Sequence, residues 1–166
     1  MTRNFDYEEM LYQIEESSKL NGFIMLNLML NFRKCSIQQL AVGLYLFRFS
    51  NVLQIIISEI ENSKEVFSEF PQWDYFNLDT VLTPFLIEKY NDRFQKGFIE
   101  LLSRNLIKVD GEELLINDEV VLGFKEEIRK NKYVYKKCEY ISKVINTYPT
   151  DILNEKISKI VGDLND

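Results

Sequence analysis

Helical periodicity along most of the 166 residues, an Asp110-Gly111 step between two β-prone runs, and two apolar stripes near the C-terminus set the predicted fold class. Together they predict a mostly α chain: a winged-helix-like domain with a β-hairpin at about 105–117, and a C-terminal helical hairpin. The organisation that follows is a helical domain over 1–131, containing a winged-helix unit at about 79–117, with a hairpin of helices over 132–166 packing on it.

Taken in order, residues 6–17 read as an acidic first helix with Tyr7, Leu11 and Ile14 on one face. Asn21-Gly22 punctuates, and Phe23–Phe32 is an oily second helix ending near Arg33-Lys34, whose positive charge complements the helix dipole. Ser36 with Gln39 three residues later has the spacing of a capping box. The helix it opens carries Leu40, Leu44 and Phe47, is apolar on nearly every side, and is expected at the centre of the core. A break or bend near residue 50 is preferred to one long helix over 36–61, with a further helix at Val52–Glu61.

Residues 62–77 fit no single period. They hold Phe67, Phe70, Trp73, Tyr75 and Phe76 around Pro71 and read as an aromatic loop or short helical turn. Asp79 or Thr80 caps a short helix, with Pro84 near its start. Asn91 or Asp92 caps the helix Arg93–Arg104, the third of the winged unit. Leu106, Ile107 and Val109 then precede Asp110-Gly111, and Leu114, Leu115 and Ile116 follow it. Asp-Gly between apolar runs is a hairpin signal because a type I′ turn needs φ > 0 at both central residues. A helix feeding directly into a two-stranded hairpin is the ending of a winged helix. Asn117 or Asp118 caps a helix to about Arg129. Val134, Cys138, Ile141, Ile145 and Tyr148 make the first late stripe, Pro149 breaks it, and Thr150 or Asp151 opens a helix with Leu153, Ile157, Ile160 and Leu164 as the second. Two such stripes across a short break read as an antiparallel pair.

Composition narrows the function more than any motif does. The chain has no histidine, which removes Ser–His–Asp and Cys–His nucleophile activation and His-ligated zinc. Cys35 and Cys138 lie far apart without a CxxC pair, so two free, buried thiols are favoured and a disulfide stays open. A net charge of −6 argues against a general nucleic-acid binder. No signal peptide or spanning stretch is visible, and a cytoplasmic protein is expected. The carboxylate pairs Glu8-Glu9, Glu15-Glu16, Glu112-Glu113 and Glu126-Glu127 read as solvated surface. No catalytic residue, cofactor or metal ligand is expected, and the chain reads as a non-enzyme.

Two sets of residues are candidates for binding. The aromatics Phe67, Phe70, Trp73, Tyr75 and Phe76 either form a satellite core or anchor a partner protein, since Trp and Tyr are enriched at interface hot spots. A nucleic-acid contact would run through Arg93, Lys96 and Arg104 on the third helix and through Arg129, Lys130, Lys132, Lys136 and Lys137, where basic residues alternate with Tyr133, Tyr135 and Tyr140. The hairpin tip opposes such contact with Asp110, Glu112 and Glu113.

The layout also resembles a known family. An oily helix opens near Asn21–Leu28, and a core helix and an irregular segment follow. Phe98–Ile107 reads F-x-x-L-L-x-x-x-L-I, a short hairpin runs to Ile116, and helices come after it. Over roughly residues 20–130 this pattern of apolar positions resembles the small middle component of three-component ABC-ATPase systems, including the Lamassu-type antiphage systems of bacteria. The resemblance implies a non-catalytic accessory subunit bridging an SMC/Rad50-like ATPase to an effector, often a nuclease. It also implies that DNA is met weakly or through the complex, with no membrane involved. The alternative is a winged-helix DNA-binding transcriptional regulator.

Overall fold

The computed structural model describes residues 17–62, 70–74 and 92–164. The expected first helix over 6–17 and the helix near Pro84 lie outside them. The described chain is mostly helical with a small three-stranded antiparallel sheet.

Helix α1 spans Ser18–Phe32, capped by the Ser17 side chain. It runs straight through Asn21-Gly22, where the sequence predicted punctuation. Asn21 Nδ2 donates back to the Ser17 carbonyl at 3.0 Å, so the amide supports the helix instead of ending it. Gly22 meets the next packed helix closely, since a Cβ there would stand 3.1 Å from Glu100 Cγ. Tertiary contact outweighs the low helix propensity of both residues. Helix α1 is buried from Ile24 to Leu30, Asn27 included, and shares the centre of the core with α2.

Strand β1, Lys34–Ser36, follows at once through Arg33, whose φ of 67° turns the chain. Helix α2, Ile37–Arg48, opens with the expected capping box: Ser36 Oγ accepts from Gln39 N–H and Gln39 Oε1 accepts from Ser36 N–H. The bend near residue 50 is also present. Phe49 leaves helical geometry, and α3, Ser50–Glu61, departs from α2 at 105°. It starts two residues before the expected Val52.

Helix α4, Asp92–Ser103, ends in a Schellman-type turn: Asn105 has φ 57°, Leu106 N–H bonds Leu101 O, and Asn105 N–H bonds Leu102 O. That turn delivers the chain into β2, Ile107–Asp110, and β3, Glu113–Ile116. The hairpin stands where the sequence put it, with a different turn. Asp110 pairs with Glu113, so Gly111 and Glu112 are the central residues, and only Gly111 has positive φ, at 62°. This is the type II′ pattern, with glycine first. Strand β1 adds to the far side of β3, with Cys35 opposite Leu114, giving the order β1-β3-β2. Three residues are too few to carry a strand period, which is why the sequence did not announce β1.

The single helix expected from 117 to 129 is instead three short pieces. These are α5 (Asp118–Val121), a 3-10 turn (Leu122–Phe124) and α6 (Lys125–Arg129). Helix α7, Lys132–Thr147, is capped by Asn131, and its stripe Val134, Cys138, Ile141 and Ile145 is buried. It packs into the body against α1, α2 and α3. Helix α8, Thr150–Asp163, buries Leu153, Ile157 and Val161 across α2 and α3 rather than lying along α7, so the two stripes do not pair as a hairpin. Leu164, expected on its stripe, is exposed. No single helix among the described residues is long and apolar enough to cross a membrane.

Candidate functional site

The two predicted binding sets are rearranged by folding. Of the aromatic set, Phe67, Tyr75 and Phe76 lie outside the described residues. Phe70 is buried, its ring edge-on to Tyr133 at 5.7 Å and to Tyr140 at 5.9 Å. Trp73 sits in a 3-10 turn, Gln72–Asp74, with its ring tilted against Tyr133 at 5.7 Å, and is still 62% exposed. The two described aromatics of this segment part company. Phe70 joins the core, and Trp73 faces outward.

The basic set does not form one face. Arg93 and Lys137, both expected at a nucleic-acid surface, are buried. Arg93 lies one turn before Gly97, on the side of α4 that packs against α1. Lys137 occupies the apolar phase of α7 beside Cys138 and one turn before Ile141. Arg104 bonds Glu100 Oε1 at 2.5 Å, Lys130 bonds Glu127 at 2.7 Å, and Arg129 lies 3.6 Å from Glu126 and over the Tyr135 ring at 5.4 Å. Lys96, Lys132 and Lys136 are exposed. Carboxylates one turn away thus partner three of the eight predicted cations, and two more are in the interior. On the sheet, Lys34 pairs with Glu113 at 3.5 Å and Lys108 with Glu119 at 4.0 Å.

The solvent side of α4 is mixed, with Asp92, Gln95, Lys96 and Ser103 exposed beside two apolar side chains. Ile99 is 63% and Leu102 42% exposed, and with Gln95 they stand at i, i+4 and i+7 on the side away from α1. Two surface grooves flank the body. One, of about 240 Å³, lies between α1 and α4; the other, of about 250 Å³, lies between α3 and α8. Each holds an ion pair, Glu100–Arg104 in the first and Glu59–Lys156 in the second. Among the described residues no group of three or more Cys, Asp or Glu side chains is placed to hold a metal.

The cluster that sequence reasoning missed is buried. Lys137 Nζ donates to Asp74 Oδ1 and Oδ2 at 2.9 and 3.0 Å and to Ser50 Oγ. Tyr133 OH donates to Asp74 Oδ1 at 2.6 Å. The ammonium also stands 4.5 Å from the Phe47 ring centre and 5.6 Å from that of Tyr133. Burial lowers the Lys137 pKa, and the Asp74 carboxylate opposes that shift. The signal for Lys137 was its phase, since position 137 falls on the same side of the helix as 134, 138 and 141. Nothing local marked Asp74 as its partner, 63 residues away. Scanned against protein-family models, curated proteins and solved structures, the chain matches none.

Proposed function

We propose that this chain is a non-catalytic accessory subunit that bridges an SMC/Rad50-like ATPase to an effector, a nuclease being the favoured class, in a bacterial antiphage complex. The family comes from the sequence resemblance over roughly residues 20–130. The layout of the sheet supports the winged-helix part of the reading. A helix, α4, enters a hairpin, and an earlier strand that follows α1 completes the order β1-β3-β2. On this reading the winged unit begins at α1 and not near residue 79, and α3 is an addition between its second and third helices.

The observation that carries the proposal is the outward face of α4. In a winged-helix DNA reader this helix displays polar and basic residues to the major groove. Here the same face carries Ile99 and Leu102, Arg93 is turned inward, and Arg104 is held by Glu100. The exposed apolar pair Ile99 and Leu102, at i and i+3 beside Gln95, suits a helix or groove of another protein.

The test is co-expression with the long coiled-coil ATPase whose gene this reading places next to that of the chain. A stable stoichiometric complex is expected, and Ile99→Glu with Leu102→Glu should break it while leaving the thermal midpoint of the free chain unchanged, because both side chains are exposed. A complex indifferent to that pair of changes would remove α4 as the docking face. Tight, sequence-selective binding of duplex DNA by the chain alone at physiological salt would replace the proposal with the regulator.

A further inference from the structure

The buried Asp74–Lys137 pair has a feature that core stability does not require. It joins two parts of the chain that lie 63 residues apart. Lys137 belongs to α7, which packs against α1, α2 and α3. Asp74 ends a single 3-10 turn, Gln72–Asp74. The side chains are 1% and 7% exposed, so both charges have left water. For such pairs the cost of desolvation is of the same order as the attraction regained, and the net gain in stability is small. What the pair does supply is direction. A buried ammonium accepts a carboxylate only where the geometry is met, and Lys137 offers one such place, framed by Ser50, Phe47 and Tyr133. Trp73 is the residue before Asp74, so its outward position against Tyr133 follows from where Asp74 is seated.

We propose that Asp74 and Lys137 form a registering latch, which fixes where the turn Gln72–Asp74 seats on α7 and holds Trp73 outward while adding little to the stability of the helical body. The body tolerates release of the turn for a chemical reason. Without Asp74, Lys137 can shed its proton and remain as a neutral amine on Ser50 between two rings, a change its burial already favours. The use of Trp73 as an anchor for the ATPase or effector rests on the function proposed above; the latch itself does not.

The experiment uses the full chain and its one tryptophan as reporter. Asp74→Asn and Lys137→Met are made singly and together. Tryptophan anisotropy and the indole band in near-ultraviolet circular dichroism follow the turn, and far-ultraviolet dichroism with thermal unfolding follows the body. Each variant is expected to lose the fixed indole signal. The helical signal should be retained and the melting midpoint should stay within about 5 °C of the parent. The double variant should resemble the singles, because the two groups act as one unit. An indole signal unchanged in all three would show that other contacts seat the turn. Indole and helical signals lost together, with a large fall in midpoint, would make the pair an ordinary part of the cooperative core. Either result overturns the latch. Neither bears on the assembly reading, which is judged by the ATPase complex and the α4 substitutions.

Discussion

Gly97 on α4 lies against the backbone of Asn21 on α1: a Cβ at Gly97 would stand 3.0 Å from the Asn21 carbonyl carbon and 2.6 Å from Met25 Sδ. Gly97 brings no side chain of its own to this contact, where the Met25 side chain and the Asn21 backbone close on it, and α4 in turn sets the direction of the hairpin that follows it. Gly97→Ala is expected to destabilise the chain by about 1–3 kcal/mol through overpacking. Gly162→Ala is the control. Nothing lies within 4 Å of the added methyl in α8, and a gain of about 0.4–1 kcal/mol is expected there from helix propensity and lost unfolded-state freedom. Urea unfolding of the two variants checks the sign of each. A gain at both sites would mean that α1 and α4 separate easily.

The hairpin turn should disfavour any side chain at position 111. Gly111 has φ 62° and open space around it, so the cost of substitution is conformational and not steric crowding. Gly111→Val and Gly111→Asn should each destabilise by about 1 kcal/mol or more, because the first central residue of a type II′ turn lies outside the left-handed helical region that Asn tolerates. Amide exchange across Ile107–Ile116 together with global unfolding would show it. An effect of Asn well below that of Val would contradict the type II′ assignment.

The start of α2 depends on a reciprocal cap. Ser36→Ala removes the acceptor for Gln39 N–H and is expected to cost about 1 kcal/mol. Gln39→Ala removes the return bond to Ser36 N–H. Because the two bonds close one box, the double variant should cost less than the sum of the singles. Strict additivity in thermal unfolding would mean that the two bonds act independently.

The thiols make a prediction in alkali. Cys35 and Cys138 are free and buried, and burial pushes the Cys35 thiol from 9.0 up to about 12 and the Cys138 thiol up as well. In the unfolded chain both ionise near their ordinary value, so above about pH 9 the unfolded state gives up protons that the folded state keeps. These groups therefore contribute stability below pH 9 that is lost as pH rises toward 12. Native chain should react with a thiol reagent at a rate limited by opening, and unfolded chain rapidly. Prompt labelling of either cysteine under native conditions at pH 8 would contradict the burial.

Local chemistry was legible from the residues alone. Ser36 with Gln39 announced a helix start, and Asp110-Gly111 between apolar runs announced a hairpin. In each case the deciding contacts lie within a few positions of one another, so the sequence by itself determined the outcome. It also determined the chemistry that is missing, since a chain without histidine lacks that base and ligand wherever it folds. The rest was decided by partners far along the chain. Asn21-Gly22 stays helical because Glu100 and Gly97 pack on it, and β1 exists because β3 is there to pair with it. The candidate site divides in the same way. The sequence located the aromatic run and the basic run. Only the tertiary structure buried Phe70, exposed Trp73, and drew Lys137 out of the basic face to meet Asp74. The physical reason is that burial is a property of the assembled surface. A charge at an apolar helical phase stays inside when an opposite charge from elsewhere reaches it, and periodicity along one segment carries no information about that partner.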